Sequence, residues 1–267
     1  LQAVIEKGLD NHSKSAIAQQ DIEKYYDSLR PLPIVRWLSD NGVPMSVCAA
    51  LIRQQMLPQV ILKIGQESVS IQQRASGSLT GSRGAGLLAR VPVETIVCQR
   101  HSHWMESGFS AGDDTLTVCT YIDNIFSASD TLHEAVAILE DFENELRNKW
   151  GLRVKPTSRT CMVCRGSDDI PTDADKWPLV AEFSVLEHLL QNNGDTRACW
   201  TTTQRSMWKA YFGNCRAAAA ERLSLRTKFQ LLNKCVTPSF DYRNTRWPAH
   251  RQRCLEIDRV QRKMYIL

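Results

Sequence analysis

Two aspartates lie at the ends of apolar segments that have the character of β-strands. Asp21 is near the end of "AIAQQDI", and Asp123 interrupts "CTYIDNIF". If a sheet brings these segments side by side, the two carboxylates face one another, and their repulsion is tolerable only with a proton or a cation between them. Mg²⁺ prefers oxygen ligands and usually keeps water or substrate phosphate in its shell. The pair therefore predicts a two-metal site for in-line phosphoryl transfer.

Each aspartate taken alone also has an ordinary structural explanation. Asp21 can cap the turn that follows its segment. The dipeptide Asp123-Asn124 is a common hairpin turn. The metal-site interpretation therefore depends on the fold bringing Asp21 and Asp123 together.

The elements that must position these residues follow from hydrophobic periodicity and turn signals. Residues 16–22 predict a strand, residues 33–65 predict two amphipathic helices, and residues 60–71 predict a β-hairpin. The glycine-rich segment 77–86 leads into a helix that ends near residue 104, and 115–128 predict two strands around an Asp123-Asn124 turn. A capped helix over 131–150, a strand over 152–164, a polar loop over 167–178 and a mostly helical remainder complete the chain.

Three of these helices have predicted apolar faces, and the face of the helix over 131–150 comprises Val136, Leu139, Phe142, Leu146 and Trp150. The faces of the helices after residue 33 comprise Ile34, Trp37 and Leu38, then Val47, Ala50, Leu51 and Met56. In the helix over 131–150, Thr131 and Glu134 form a capping box and Gly151 ends the helix. Strands separated by helices in this order predict an α+β fold of the split βαβ type, with an antiparallel sheet and helices on one face.

Four motifs in this order resemble those of reverse transcriptases, especially the non-LTR retrotransposon type. "AIAQQDIEKYYDSL" resembles the first catalytic motif, and "GSLTGS" resembles the glycine loop of the second. "YIDN" resembles Tyr-x-Asp-Asp, and "WGLRVKPTSRTCMV" resembles the fourth motif. Near the C-terminus, "LLNKCVTPSFDYRNTRWP" and "IDRVQRKM" are similar to the thumb region. The resemblance extends from about residue 16 to the C-terminus.

The resemblance implies a polymerase palm followed by a mainly helical thumb. It divides the chain into residual fingers with the first palm strand (1–30), a helical and hairpin insertion on the fingers side (31–75), the palm (76–195) and a basic thumb (196–267). Compared with the family, little of the fingers region precedes the first motif in this chain. One interpretation of this short region is that the chain is part of a longer protein.

The resemblance also implies roles for individual residues. Asp21 and Asp123 would hold catalytic Mg²⁺ ions, with the Ile22 backbone carbonyl as a further ligand. Tyr26 lies where the family has an aromatic residue that excludes ribonucleotides, although packing in the core explains a tyrosine there almost as well. Gly77 and Gly81 would let the backbone approach nucleotide and template closely.

Several positions depart from the family pattern. Thr80 replaces a glutamine that positions the nucleotide. Asn124 replaces the second aspartate of the third motif, which predicts weaker Mg²⁺ binding or a preference for Mn²⁺. Lys155 replaces an asparagine in the fourth motif. Arg159 lies near the position at which the family has a lysine that acts as general acid. An arginine can supply charge there, but it does not readily give up a proton. Glu187 replaces a glycine of the primer-grip hairpin.

The net charge of the chain is unevenly distributed. Residues 197–267 contain 15 Lys and Arg against 4 Asp and Glu, whereas residues 1–196 contain 18 against 25. A basic C-terminal quarter indicates a polyanionic partner or a solvated basic surface. By resemblance, the partners are an RNA template, a DNA primer and deoxynucleoside triphosphates. The sequence indicates no oligomeric state.

The remaining sequence features concern the cellular compartment of the protein. No apolar run is long enough to predict a membrane span, and no secretory leader is visible. Nine scattered cysteines favour a reducing compartment. We therefore expect an intracellular protein, in the nucleus if the chain belongs to an active retroelement.

Two further groups of residues have alternative interpretations. Cys161 and Cys164, with His101 and His103, have the spacing of a zinc site, but buried thiols are the favoured interpretation. Aromatic residues among Arg197, Arg205 and Lys209 could stack on nucleic acid or form a core; they are Trp200, Trp208, Tyr211 and Phe212. We favour the core for Trp208 and Phe212, and contact with a nucleic-acid duplex for the basic residues.

The sequence thus predicts RNA-directed DNA polymerisation. The alternative is a catalytically inactive retroelement remnant that retains the fold and nucleic-acid binding. Asn124, Thr80 and the short fingers region favour the inactive alternative.

Overall fold

The computed structural model describes residues 1–10, 14–56, 60–71, 76–78, 82–165, 175–185, 188–215, 223–244 and 251–266. The chain divides into two compact units, one of Leu1 and Ala3–Val180, the other of Gln2 and Ala181–Leu267. No helix in these ranges has the length and apolar character needed to cross a membrane.

The first unit is built on a four-stranded antiparallel sheet. Its strands are β1 (Ser15–Asp21), β6 (Val118–Tyr121), β7 (Asn124–Ser129) and β8 (Thr160–Arg165), in the order β6-β7-β1-β8. The central strand β1 pairs with β7 on one edge and β8 on the other. Most of its residues are buried, because both edges are paired and helices cover the sheet. The strand predicted over 16–22 is confirmed.

Helix α6 (Leu132–Glu145) covers one face of this sheet. Half of the predicted capping box is present, since the Thr131 hydroxyl accepts from the Glu134 N–H at 3.2 Å. The Glu134 carboxylate accepts from the Thr131 hydroxyl at 2.7 Å, whereas the Thr131 N–H donates to the Ser129 hydroxyl. A π-helical turn follows, and Gly151 ends it with a positive φ of 64°. Gln20 of β1 donates its amide N–H to the Leu139 carbonyl of α6 at 3.0 Å, which places Gln20 on the helix-covered face.

The remaining helices of the first unit are α1 (Gln2–Asp10), α2 (Tyr25–Ser28), α3 (Pro31–Asp40), α4 (Met45–Gln55) and α5 (Arg83–Trp104). Arg100 and Trp104 of α5 both donate to the Asp141 carboxylate of α6, at 2.6–2.8 Å. These bonds fix α5 against α6. The helices predicted after residue 33 and after the glycine-rich segment are confirmed.

The predicted apolar face of α4 is partly wrong. Val47 and Ala50 are exposed, whereas Cys48, Ile52 and Met56 are buried. The buried positions are spaced by four residues, so they follow one stripe of the helix. The sequence offered two apolar stripes, and packing against α3 and α5 selected between them.

Two further hairpins belong to the first unit. The predicted hairpin is confirmed as β2 (Val60–Ile64) and β3 (Glu67–Ile71). A short hairpin of β4 (Phe109–Ala111) and β5 (Asp114–Leu116) was not predicted, although its turn at Gly112-Asp113 is a recognisable hairpin signal. The turn between β6 and β7 was predicted one residue late: Tyr121 pairs with Asn124, so Ile122 and Asp123 form the turn.

The second unit has a hairpin and four helices among its described residues. The hairpin is β9 (Glu182–Val185) and β10 (His188–Gln191), and the helices are α7 (Arg197–Asn214), α8 (Leu225–Cys235), α9 (Thr237–Asn244) and α10 (Arg251–Ile266). Its core contains residues from α7, α8 and α10, with the segment between α8 and α9: Trp200, Met207, Tyr211, Leu232, Val236, Val260 and Met264. Trp208 packs against this core, but Phe212 is 46% exposed. The predicted core role of Phe212 is therefore wrong.

The predicted boundaries at residues 30, 75 and 195 stay predictions, and the two units divide after Val180.

Candidate functional site

Asp21 lies at the end of β1, directly opposite Asn124, the first residue of β7. Residues directly opposite in an antiparallel pair have side chains on the same face of the sheet, and successive residues alternate between faces. Because Gln20 faces helix α6, Asp21 and Asn124 share the other face. The fold therefore brings the first and third motifs together at one end of two paired strands.

Asp123 occupies the turn beside this pair. Ile22, the residue after Asp21, donates its backbone N–H to the Asp123 carbonyl at 2.9 Å, which ties the turn to the end of β1. The preceding Ile122 has a positive φ of 57°, unusual for a β-branched residue. Asn124 donates its side-chain amide to the Asp123 carboxylate at 3.3 Å. The turn therefore holds Asp123 next to both Asp21 and Asn124.

The environment of Asp21 disfavours its ionised form. Burial is the largest cause that raises the Asp21 pKa, and the neighbouring Asp123 carboxylate raises it further. Lys155 and the Ile22 N–H act in the opposite direction but do not cancel the rise. Asp21 Oδ1 is buried, and no hydrogen-bond partner for it lies among the described residues. A nearby cation would stabilise the ionised form of a buried carboxylate whose oxygen accepts no hydrogen bond.

The residues around Asp21 fit a hard divalent cation. The donor set consists of oxygens: the carboxylates of Asp21 and Asp123, the Asn124 amide and the Ile22 carbonyl. In an extended strand the N–H and C=O of one residue point to the same edge, so the Ile22 carbonyl faces the turn that holds Asp123. Within the described part of the chain, no group of three His, Cys, Asp or Glu side chains suitable for a metal occurs. Asn124 in place of a carboxylate leaves only two acidic residues here.

Residues 155–158 close the other edge of β1. Lys155 donates its backbone N–H to the Asp21 carbonyl at 2.8 Å, and the Ser158 hydroxyl accepts the Asp21 N–H at 2.9 Å. Ser158 in turn donates to the Lys155 carbonyl at 2.6 Å. The sequence predicted a role for Lys155 but not for Ser158. The signal for Ser158 in the sequence was its position two residues after Pro156, which begins a 3₁₀ turn.

The glycine loop contacts the segment after Asp21. Gly77 donates its N–H to the Leu29 carbonyl, and Ser78 donates to the Tyr26 carbonyl, both at 2.8 Å. Gly77 has φ of +99°, and a Cβ there would lie 3.1 Å from the Asp27 carbonyl oxygen. Only glycine meets both conditions without strain. The predicted sites Thr80 and Gly81, and the departure at Glu187, lie outside the described residues.

A cleft of about 520 Å³ opens beside the turn. Tyr26 forms one wall and Tyr121 and Ile122 another, and the remaining walls are Thr120 and six residues of α5: Gly86, Leu87, Ala89, Arg90, Val93 and Glu94. Tyr26 also packs partly against the core. The predicted position beside a nucleotide and the alternative of core packing therefore each describe part of its environment. The adjacent Tyr25 donates its hydroxyl to the Ala89 carbonyl and fixes α2 to α5.

The sequence did not identify the α5 residues of this cleft. Leu87 is largely exposed, and Arg90 forms an exposed ion pair with Glu94 one turn later. Helical spacing of Leu87, Arg90 and Glu94 was visible in the sequence, but it also describes an ordinary solvated helix face. Only the tertiary structure places that face opposite Tyr26.

Arg159 does not join the carboxylate pair. Its guanidinium donates to Glu143 of α6 at 2.7 Å and lies over the Trp177 ring at 5.9 Å. It is therefore on the helix-covered side of the sheet, opposite to the face that carries Asp21. The predicted placement of Arg159 beside Asp21 and Asp123 is corrected, because the partly buried Glu143 carboxylate on α6 binds the guanidinium.

The cysteine and histidine spacing does not produce a zinc site within the described ranges. Cys161 and Cys164 are both buried, as predicted, and burial raises the pKa of each thiol to about 11. The Cys161 thiol donates to the Trp177 carbonyl. His101 lies beside Thr117, with Nδ1 and the hydroxyl oxygen 3.5 Å apart. The thiols therefore contribute to packing.

No protein-family model and no curated protein matches the sequence. Among solved structures, the fold is similar to telomerase from Candida tropicalis in complex with a TWJ fragment of telomeric RNA, with a TM-score of 0.52 and 10% identity over 95% of this chain and 44% of that chain. Apo telomerase from Candida tropicalis gives a TM-score of 0.51 and 11% identity over 99% and 48%. This chain thus spans less than half the length of either telomerase chain. At these identities the likeness is one of fold, and it confirms the predicted α+β palm-and-thumb fold class.

Proposed function

We propose that this chain is a reverse-transcriptase-type polymerase domain that extends a DNA primer on an RNA template. The observation that carries the proposal is the convergence of Asp21 and Asp123, distant in sequence, at adjacent strand ends. The similarity in fold to telomerase supports the polymerase class. The assignment to the non-LTR retrotransposon type rests on the four sequence motifs.

The proposed cofactor is Mg²⁺, with Mn²⁺ as an alternative. When bound, the ions would activate the primer 3′-hydroxyl and stabilise the leaving pyrophosphate. Asp21, Asp123 and the Ile22 carbonyl would hold them, and the Asn124 amide oxygen would contribute without a charge. Lys155, the cation that acts on Asp21, is the residue best placed to offset negative charge there.

The cleft beside the turn is the proposed nucleotide site. Its apolar walls, including Leu87, Tyr121 and Tyr26, suit a base and a sugar. Tyr26 would exclude a 2′-hydroxyl by bulk. The docked Gly77 loop would fix the position of Tyr26, because Ser78 binds the Tyr26 carbonyl.

The proposed partners are template and primer, bound largely through their phosphates by basic residues of the second unit. One telomerase of similar fold was solved with an RNA fragment, which supports an RNA partner. The function further implies an intracellular protein, nuclear if it acts in an active retroelement.

A second candidate function is nucleic-acid binding without turnover. Asn124 favours it, because the site then has two carboxylates rather than three near the proposed ions. Both candidates predict binding that weakens with salt. Turnover alone separates them.

Primer extension on an RNA template, with Mg²⁺ and separately with Mn²⁺, tests the proposal. We expect incorporation by the wild-type chain, and a loss of at least about a hundredfold in Asp123→Ala and Asp21→Asn. Asp114→Asn, in the β4–β5 hairpin, is the matched control that removes an exposed carboxylate and should retain activity. Absence of incorporation by folded wild-type chain in both ions would instead support the inactive remnant.

A further inference from the structure

Helix α7 presents basic and aromatic side chains on one face. Trp208, Lys209 and Phe212 follow Arg205 by three, four and seven residues, which places the four on the same side of the helix. Arg205, Lys209 and Phe212 are exposed, and Trp208 is half-buried. We call these four residues the α7 face.

The two rings of the α7 face are stacked. The Trp208 and Phe212 ring centroids are 5.5 Å apart with an interplanar angle of 24°. Tyr211, which is buried, contacts both rings edge-on at 5.7 and 5.5 Å. Trp208 packs against the core of the second unit. Phe212 is therefore an exposed ring supported from beneath by an ordered tryptophan, which reduces the entropy lost when a ligand stacks on it.

The helix that carries these rings is positively charged. Neither α7 nor α8 contains an Asp or Glu residue. Arg197 is engaged by Asp195, but Arg205 and Lys209 lie beside the stacked rings. Helix α8 has the same pattern, with exposed Arg226 three residues before Phe229, which is 45% exposed. Cations interleaved with exposed aromatic rings are typical of surfaces that bind single-stranded nucleic acid.

We propose that the α7 face binds single-stranded nucleic acid, with an unpaired base stacked on Phe212 and adjacent phosphates bound by Arg205 and Lys209. A duplex hides its base faces and would use the cations only. An apolar protein partner would use the rings, but it would not require cations on a helix that contains no Asp or Glu. The inference is independent of the proposed polymerase function, because it involves neither Asp21 nor Asp123.

Fluorescence anisotropy of the full chain tests the role of the ring. The probes are a labelled single-stranded RNA of about 12 nucleotides and an abasic strand with the same number of phosphates. Phe212→Ala should weaken RNA binding by about fivefold or more and leave binding of the abasic strand unchanged. Phe212→Leu, which keeps an apolar side chain without a flat ring, should behave similarly. Leu255→Ala removes another exposed apolar side chain of this unit and should change neither affinity.

The role of the cations is tested with the double variant Arg205→Ala/Lys209→Ala. It should weaken binding of both strands and reduce the slope of log K against log salt by about 1.4 in magnitude. Arg36→Ala, an exposed arginine of α3, is the control.

Three results would overturn the proposal. One is an RNA affinity that is unchanged in Phe212→Ala, and another is an equal loss of affinity for RNA and for the abasic strand in that variant. The third is a duplex that binds as tightly as the single strand and whose binding Phe212→Ala weakens equally. Failure of the polymerase proposal would give a different result. Primer extension would then be absent, while RNA binding would still depend on Phe212.

Discussion

Asn124 determines how much negative charge the proposed site contains. It lies directly opposite Asp21 and donates an amide hydrogen to Asp123, so it lowers the repulsion between two carboxylates that the fold holds together. An aspartate in its place would add charge for a metal but would lose that hydrogen bond. The present site thus tolerates the absence of a cation better than a site with three carboxylates would.

Asn124→Asp should therefore make folding depend on a divalent cation. The new carboxylate would raise the Asp21 pKa further. A carboxyl group whose pKa is raised in the folded state stabilises the fold at low pH, and this contribution is lost as the pH rises through the folded pKa. Without Mg²⁺, we expect a lower Tm than wild type at pH 7, and a difference that disappears below about pH 3.8, the usual Asp pKa. Mg²⁺ should raise the Tm of the variant more than that of wild type.

Differential scanning fluorimetry across pH, with and without Mg²⁺, measures these shifts. Asn148→Asp adds an exposed charge in the π-helical turn after α6, outside the proposed cation site, and should show no comparable Mg²⁺ effect. An equal Mg²⁺ response in Asn124→Asp and wild type would contradict a cation site at Asp21 and Asp123.

Among the elements, the loop at Gly77 connects the second motif to the first. Its N–H bonds the Leu29 carbonyl, and the next residue bonds the Tyr26 carbonyl, so one turn of the loop positions the wall of the cleft. The close approach to Asp27 involves backbone atoms, which cannot rotate away as a side chain would.

Gly77→Ala should reduce the free energy of unfolding by about 2–3 kcal/mol. Part of the loss comes from the positive φ, and the rest from the contact between the new Cβ and Asp27. Gly42→Ala is the matched control, because Gly42 has φ of +80° and its new Cβ would have no atom within 4 Å. It should cost about 1 kcal/mol. Urea denaturation of both variants measures the difference, and equal losses would show that the Asp27 contact carries no energy.

Considered as a whole, the molecule has two units with separate cores. The first contains Phe142 of α6, which is completely buried, and the second contains Met207 of α7, which is 1% exposed. A hydrophobic core that closes within one unit allows that unit to lose stability by itself.

Phe142→Ala should destabilise the first unit by about 3–5 kcal/mol, and Met207→Ala the second by about 2–5 kcal/mol. Hydrogen exchange followed by mass spectrometry should show faster exchange in residues 82–165 for the first variant and in 188–215 for the second. Loss of protection throughout the chain in both variants would contradict separate cores.

The sequence by itself determined the local elements that its own side chains specify. The short apolar segment before Asp21 predicted β1, the Thr131 and Glu134 cap with its apolar face predicted α6, and Gly65 within an alternating segment predicted the β2–β3 hairpin. These signals come from neighbours along the chain, so no knowledge of distant contacts was needed. The motifs likewise selected Asp21 and Asp123 as candidate site residues, and the order of strands and helices predicted the fold class.

Only the tertiary structure decided which residues share a surface. It placed Arg159 with Glu143 on the helix-covered face, left Val47 and Phe212 exposed, and set Leu87 and Arg90 opposite Tyr26. Strand pairing fixes the face of each side chain, and competition among apolar stripes fixes burial. Both depend on partners far away in sequence, which local patterns do not specify.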